Sequence, residues 1–172
     1  VKDTDSGVNA GTIAVTVDGT VVSTVTKTAI DGGYKCTCTS PTLKDGAHTI
    51  SVKASDNDGN AAAAKTATFT VDTVPPTLQI TAPSNGLITN KKTVTVSGKT
   101  DDVSSKPVTV TVNGATVTVG TDGTFTKDVT LAEGANTITI VAKDKAGKTT
   151  TVTRKVTVDT SAPVIKSVTL TP

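Results

Sequence analysis

Apolar and polar residues alternate with a period of two along most of the 172-residue chain. This period places successive side chains on opposite faces of a sheet, and the runs are bounded by residues that favour turns. In the second half of the chain the alternation predicts strands at Leu78–Ala82, Thr93–Gly98, Val108–Asn113, Ala115–Gly120, Thr124–Leu131, Asn136–Lys143 and Thr149–Val158. The dipeptides Asp18-Gly19 and Asn113-Gly114 predict two-residue hairpin turns. Seven short strands joined by tight turns are typical of a small β-sandwich.

The phase of the alternation also predicts which side chains face the core. Threonine occupies most of the outward positions, as expected for β-branched residues on a pleated, half-buried surface. The predicted inward positions are Val94, Val96, Val108, Val110, Val112, Phe125, Val129, Leu131, Ile138, Ile140, Ala142, Val156 and Val158.

The same series of motifs occurs twice along the chain. VTVDG at 15–19 matches VTVNG at 110–114, and TVDTVPP at 70–76 matches TVDTSAP at 157–163. Between them, 43–59 aligns with 131–147 at an offset of 88. The identical pairs at that offset are Leu43/Leu131, Gly46/Gly134, Ala47/Ala135, Thr49/Thr137, Ile50/Ile138, Ala54/Ala142, Asp56/Asp144 and Gly59/Gly147. The chain is therefore interpreted as a tandem duplication of one unit.

Prolines mark the ends of the repeated units. Val74–Pro76 separates the two copies, and tandem prolines make a short, semi-rigid connector because proline cannot donate to a sheet ladder. Proline returns at Ser161–Pro163, so the predicted domains are 1–74 and 75–161. Residues 162–172 are predicted to begin a following domain or to form a tail strand.

The first unit is predicted to lack strands at its front. Val1–Gly7 aligns with Gly98–Ser104, so the first strand and most of the second have no counterpart in residues 1–74. A sandwich that lacks a strand has an open edge, which is a site for pairing with another chain. We therefore expect Val164–Pro172 of a neighbouring molecule to be able to add a strand there.

Composition and charge limit the function classes. Threonine (39) and valine (25) make up 64 of 172 residues, whereas Glu133, Arg154 and His48 are each the single residue of their type. This supply argues against acid–base and nucleophilic catalysis. The net charge of +2 comes from scattered lysines among aspartates, so no nucleic-acid surface is predicted. No apolar run approaches the roughly 18–20 residues that span a bilayer, and no signal peptide opens the chain, so Val1 is expected to begin a mature piece or an excised fragment.

Cys36 and Cys38 lie two residues apart in a predicted strand, so their side chains point to the same face. Their Cα atoms are expected to be roughly 6.5–7 Å apart, at the limit of disulfide reach. Two free, partly buried thiols are the favoured interpretation. The alternatives are a strained disulfide and a zinc site with His48, which would lack a fourth ligand.

Several of the repeated motifs carry a family resemblance. They are GANTITI at 134–140, AKDKAG at 142–147, VDTSAP at 158–163, ASDNDGN at 54–60 and VDTVPP at 71–76. These motifs resemble the bacterial Ig-like domains that occur in tandem in secreted and surface proteins. The resemblance covers about residues 1–160 and implies an all-β chain of two tandem immunoglobulin-like β-sandwiches joined by a short Pro-containing linker. It also implies an extracellular or bacterial cell-surface location, with a phage virion as the alternative.

Acidic residues at the strand ends are the candidate metal ligands, because hard carboxylate oxygens can hold Ca²⁺. Those expected to gather at one pole of the first unit are Asp3, Asp5, Asp56 and Asp58. Those at the corresponding pole of the second unit are Asp101, Asp102 and Asp144. Asp72, near the linker, is able to add an oxygen to either group. The alternative is that these are turn residues, since Asp and Asn near Gly bond to their own backbone. No cofactor other than calcium is suggested.

The sequence leaves three function classes open. The first is a non-catalytic spacer that separates or presents other domains of the same polypeptide. The second is an adhesin-type binding module that acts through protein–protein or strand-edge contacts and can be stabilised by calcium, or an Ig-like decoration of a phage tail or virion. Carbohydrate binding is disfavoured because sugars stack on exposed rings, whereas Tyr34, Phe69 and Phe125 are predicted to point inward. The third class, an enzyme, is the least favoured.

Overall fold

The computed structural model describes residues 1–169, in which all regular structure except one short 3-10 helix at Ala10–Thr12 is β-strand. The chain divides into two compact units, Val1–Thr73 and Val74–Pro172. The predicted all-β class is therefore confirmed. The described part of the chain has no helix that is long and apolar enough to cross a membrane.

Unit 1, residues Val1–Thr73, is built from two small sheets. Its strands are β1 (Ala14–Val17), β2 (Thr20–Val21), β3 (Val25–Ile30), β4 (Gly33–Cys38), β5 (Gly46–Lys53) and β6 (Lys65–Val71). One sheet has the order β2-β1-β5-β6, and β3 pairs with β4 as a separate hairpin. Asp18 and Gly19 have φ angles of 49° and 78° between β1 and β2, which confirms the predicted hairpin turn.

Unit 2, residues Val74–Pro172, is a sandwich of two larger sheets. Its strands are β7 (Thr77–Ala82), β8 (Leu87–Thr89), β9 (Thr93–Asp101), β10 (Thr109–Val112), β11 (Ala115–Val117), β12 (Thr124–Thr130), β13 (Gly134–Lys143) and β14 (Thr149–Val158). The sheet orders are β11-β10-β13-β14-β8 and β12-β9-β7. Neighbouring strands are antiparallel, except that β8 runs parallel to β14 at the sheet edge.

The core of unit 2 agrees with the predicted inward positions. All thirteen belong to the core cluster or pack against it, and Ile138, Ile140 and Ala142 on β13 are completely buried. The seven predicted strands are also present, and β14 has the predicted bounds. β11 ends at Val117 instead of Gly120, because Gly120 begins a tight turn in which its amide donates to the Thr124 carbonyl.

Unit 1 has a much smaller core than unit 2. Its cluster consists of Val8, Ile13 and Ala54, with Tyr34 and Cys36 packed against it. β6 lies at the edge of its sheet, and its residues are exposed from Lys65 to Thr70. The inward position predicted for Phe69 is therefore wrong: the ring is 37% exposed. No strand of the described chain covers this face of β6, so the alternation there does not lead to burial.

The first residues of unit 1 occupy the position of the end of β9 in unit 2. Lys2 bridges Gly33, and the Asp3 amide donates to the Gly32 carbonyl. In unit 2, Lys99 pairs with Thr124 in the same way, and the Thr100 amide donates to the Gly123 carbonyl. Residues 1–3 therefore correspond to the end of β9. The described residues of unit 1 include no counterpart of β7 or β8.

Candidate functional site

Two buried carboxylates lie together at one pole of unit 2. Asp102 directly follows β9 and Asp144 directly follows β13, and they are 5% and 4% exposed. Both continue the inward phase of their strands, since Thr100 and Ala142, two residues earlier, are also buried. A carboxylate oxygen of Asp102 lies within 4.8 Å of one of Asp144. The expected gathering of acidic residues at this pole is thus seen for these two.

The third acidic residue predicted at this pole points away from the pair. Asp101 continues the outward phase of β9, and its carboxylate forms an exposed ion pair with the Lys106 ammonium at 2.9 Å. This contact lowers the pKa of Asp101. Asp72, which directly follows β6 in unit 1, is buried and 7% exposed.

The acidic residues of unit 1 take part in turns. The Asp3 carboxylate accepts weak hydrogen bonds from the Asp5 amide and the Ser6 hydroxyl, at 3.4 and 3.3 Å. Asp56 accepts two from Asn60, one from the amide and one from the side chain, and both are 2.8 Å long. These bonds lower the pKa of Asp56. Asp58 is exposed, and the described residues of unit 1 form no group of three acidic ligand atoms by themselves. Calcium binding by Asp3, Asp5, Asp56 and Asp58 stays a prediction.

A carboxylate–threonine contact that was not predicted closes each unit. The Asp45 carboxylate accepts from the Thr73 amide and hydroxyl, at 3.1 and 2.9 Å. Glu133 accepts from the Thr160 amide and hydroxyl, at 2.9 and 2.7 Å. The Thr160 bonds lower the pKa of Glu133. The alignment of Asp45 with Glu133, and of the two VDT motifs, is the sequence signal that identifies this contact.

Both ring nitrogens of His48 form hydrogen bonds within unit 1. Its Nδ1 lies 2.6 Å from Asp18 Oδ2, and its Nε2 lies 2.8 Å from the Lys44 carbonyl oxygen. Both partners only accept hydrogen bonds, so both ring nitrogens must carry a proton, and the Asp18 bond raises the pKa of His48. The bond to His48 in turn lowers the pKa of Asp18. Cys36 and Cys38 are free thiols.

An open apolar groove of about 450 Å³ lies on the exposed side of unit 1. Residues of β5, of the segment before β6 and of β6 itself line it, among them Ile50, Val52, Ala62 and Ala67. In unit 2 the corresponding edge is covered, because β8 pairs with β14. The groove therefore adjoins β6, whose outer side is unpaired in the described residues of unit 1.

The chain enters and leaves unit 2 at opposite poles. Pro76, just before β7, accepts a hydrogen bond from the Thr150 hydroxyl at the start of β14. Asp159, just after β14, donates its amide to the Thr89 carbonyl at the end of β8. β14 has ten residues, which is about 33 Å at ~3.3 Å per residue. The unit thus separates its two connections by the length of its longest strands.

Comparison with protein families accounts for both units. A family model described as bacterial Ig-like domain matches residues 3–73, and one described as glucodextranase, domain B, matches residues 76–160. Unit 1 matches the bacterial Ig-like domain family, and unit 2 matches the family of glucodextranase domain B. Ig-like and fibronectin-III-like modules are parts of multidomain proteins and are generally non-catalytic.

Individual proteins and solved structures are similar to this chain over different shares of their length. Bacillopeptidase F of Bacillus subtilis (strain 168) is 35% identical over 140 residues, which is 81% of this chain and 9% of that protein. The fibronectin(III)-like modules of Clostridium thermocellum CbhA match with a TM-score of 0.50 and 18% identity, over 92% of this chain and 82% of theirs. A tetra-tandem repeat from the extending region of a large adhesion protein is 29% identical, with a TM-score of 0.42, over 94% of this chain and 45% of that one. The chain therefore spans only a small part of its curated relative.

Proposed function

We propose that the chain is a non-catalytic spacer in a multidomain bacterial protein that acts outside the cell or at its surface. The observation that carries this proposal is the placement of the two connections of unit 2 at opposite poles, next to Thr150 and Thr89. A module of this kind adds about 33 Å between the segments it joins. The family assignment and the low supply of catalytic side chains support the same role.

The direction of the strands suits a spacer that carries tension. β14 pairs with β13 over ten residues and with β8 over three, and both ladders run along the line between the two connections. A pull on the connections loads these hydrogen bonds together rather than one at a time. The same arrangement holds neighbouring domains apart in the absence of load.

The test is a replacement in the protein that contains this chain. Residues 75–161 are either deleted or exchanged for an unrelated Ig-like domain of the same length. A spacer predicts that the exchange retains surface display or activity of the neighbouring domains, while the deletion reduces it. Loss of function in the exchanged protein, with expression unchanged, would show that the surface of unit 2 itself binds something and would overturn the proposal.

A second candidate function is protein–protein contact at the edge of unit 1. β6 is exposed and unpaired on its outer side, and the apolar groove lies beside it. The proposed occupant is the segment 164–172 of a second copy, of which residues 164–169 are exposed and form no strand; residues 170–172 lie outside the described residues. The test compares the sedimentation of the 172-residue protein with that of a protein ending at residue 161. Self-association of the longer protein alone supports this contact. Equal sedimentation of the two proteins rules it out.

A further inference from the structure

We propose that Arg154 is the centre of a mechanical clamp that joins the entry strand of unit 2 to its exit strand. The inference rests on the proposed spacer role and adds to it the side chain that holds the unit together under tension. The two ideas are tested separately, because a folded module without such a clamp would still separate its neighbours.

The chain passes from one sheet of unit 2 to the other between β7 and β8. β7 pairs with β9 in the three-stranded sheet, whereas β8 pairs with β14 in the five-stranded sheet. The register of the β7–β9 ladder shifts between Ile80 and Ala82, just before the chain crosses. We call residues 80–86 the crossing segment. Backbone carbonyls that leave a regular ladder need other hydrogen-bond donors.

Arg154 donates to two carbonyls of the crossing segment. It is half-buried and lies at an inward position of β14, where exposed and covered residues alternate. Its Nε donates to the Pro83 carbonyl at 3.1 Å, and its Nη2 donates to the Ile80 carbonyl at 3.2 Å. Its Nη1 donates to the Thr153 carbonyl at 3.2 Å. The planar fork of the guanidinium is what allows one side chain to hold both carbonyls of the crossing segment.

The next residue of β14 holds the other end of the crossing segment. The Lys155 amide donates to Asn85 Oδ1 at 2.9 Å, and the Lys155 carbonyl accepts from the Gly86 amide at 2.8 Å. Two consecutive residues of β14 therefore make four hydrogen bonds to the crossing segment, and these bonds are the clamp. The parallel pairing of β8 with β14 begins directly after them, at Leu87.

The guanidinium has no carboxylate to neutralise it. The ion pairs of the described residues are His48–Asp18 and Lys106–Asp101, so no carboxylate oxygen among these residues lies within 4.0 Å of Arg154. A cation at an inward position loses solvation, and hydrogen bonds to the carbonyls offset that loss. Bonds with a charged donor are also stronger than bonds between neutral groups. The contacts of Arg154 are therefore the strongest candidates for holding the crossing segment.

The repeat itself does not require an arginine at this position. Ala67 pairs with Ile50 on β5 as Arg154 pairs with Ile138 on β13. The same place in the ladder thus accepts a small apolar residue in unit 1. Arg154 is a feature of unit 2, where the crossing segment supplies its acceptors.

The direction of the strands places this clamp under shear. β8 runs parallel to β14, and the chain enters before β7 and leaves after β14. A pull on the two connections therefore slides the entry strand along the exit strand in opposite directions. Bonds between sliding strands share the force, whereas bonds at a peeling end break in turn. The force reaches the clamp before it reaches the β8–β14 ladder, because the crossing segment precedes β8.

The experiment is the unfolding of single molecules of the 172-residue protein, tethered at both ends and held at constant force. Unit 2 is recognised by its longer release of chain, since it is the longer unit. Arg154→Met keeps the apolar stem and removes the guanidinium. We expect it to raise the unfolding rate of unit 2 at a given force at least about tenfold, and to leave unit 1 unchanged. Arg154→Lys should recover only part of this difference, because an ammonium lacks the fork.

A core variant separates the clamp from ordinary stability. Val110 is completely buried on β10, which pairs with neither β7 nor β8 nor β14. Val110→Ala should lower the stability of unit 2 in urea, but for the same loss of stability it should accelerate unfolding under force less than Arg154→Met does. Equal acceleration by the two variants for the same loss of stability, or none in a folded Arg154→Met protein, would overturn the proposal.

A milder variant tests the clamp even where Arg154→Met fails to fold. Asn85 is exposed, and Asn85→Ala removes one of the four bonds. We expect it to raise the unfolding rate under force about two- to tenfold. An unchanged rate would contradict the clamp and leave the spacer role standing, which the exchange of residues 75–161 tests on its own.

Discussion

At the scale of single residues, the packing of unit 2 leaves no room for a side chain at Gly98. It lies on β9 directly opposite Phe125 on β12. A Cβ at this position would come within 2.5 Å of the Gln79 carbonyl oxygen and 2.8 Å of Phe125 Cζ. The backbone oxygen belongs to the neighbouring strand β7 and cannot move away without disturbing the β7–β9 ladder.

We therefore expect Gly98→Ala to lower the free energy of unfolding of unit 2 by about 1–3 kcal/mol, the usual cost of overpacking a core. Thr126→Ala on the exposed face of β12 is the control, because it changes a strand residue without a clash and should cost less than about 1 kcal/mol. Urea denaturation followed by circular dichroism measures both. Equal stability of the Gly98→Ala and unmodified proteins would mean that β7 adapts to the added methyl group.

The His48–Asp18 pair makes the stability of unit 1 depend on pH. The folded state raises the pKa of His48, so its contribution is complete below about pH 6.5 and is lost as the pH rises through the folded pKa. The pKa of Asp18 is lowered, so its contribution is present above about pH 3.8 and is lost as the pH falls through the folded pKa. The pair therefore stabilises unit 1 most between these two limits.

Unit 2 suggests the variant that tests this pH dependence. Asn136 aligns with His48 and donates to the Ala132 carbonyl as His48 does to Lys44, without a charge. We expect the unmodified protein to lose more stability than His48→Asn between about pH 5.5 and pH 9, measured by urea denaturation. Parallel stability curves for the two proteins over this range would show that the ion pair does not contribute. Asp18→Asn, which matches Asn113 of unit 2, should flatten the curve to the same extent.

At the scale of strands, prediction succeeded where the pairing is local and the inner face is covered. β14 has its predicted bounds because its alternation is regular, and its partner β13 is the next strand along the chain. β8 was not predicted: it has three residues and pairs in parallel with β14, about seventy positions away, so it leaves no hairpin signal. The alternation along β6 has the period of a strand, and it predicted that Phe69 points inward. Burial of that side chain also needs a second sheet packed against β6, and Phe69 is exposed.

The acidic pair at the pole of unit 2 could be predicted from the sequence only in part. The inward phase of β9 and β13 extends to Asp102 and Asp144, so their meeting at one pole follows from the repeat and the alternation. Asp144 Oδ2 is buried without a hydrogen-bond partner, which does not follow from these patterns, because it depends on the side chains that lie around it. The Glu133–Thr160 contact was also missed, since it joins residues that lie 27 positions apart in the sequence.

At the scale of the whole chain, the two units differ in how much apolar surface they bury. Unit 2 has twelve buried apolar residues, all in one core cluster, whereas unit 1 has five, of which three form its core cluster, and it carries an open groove. Since hydrophobic burial is the main favourable term in folding, unit 1 should be the less stable of the two. We expect it to unfold first in urea, as a separate transition.

The single tyrosine makes this prediction easy to measure. Tyr34 packs against the core of unit 1, and the chain has no tryptophan, so tyrosine fluorescence reports unit 1 while circular dichroism reports both units. The fluorescence midpoint should lie at a lower urea concentration than the second transition seen by circular dichroism. Ile138→Ala, at a completely buried position of unit 2, should lower that second transition by about 2–5 kcal/mol and leave the fluorescence transition unchanged. Coincident midpoints by both probes, shifted together by Ile138→Ala, would instead mean that the units fold as one cooperative body, and that the small core of unit 1 does not limit its stability.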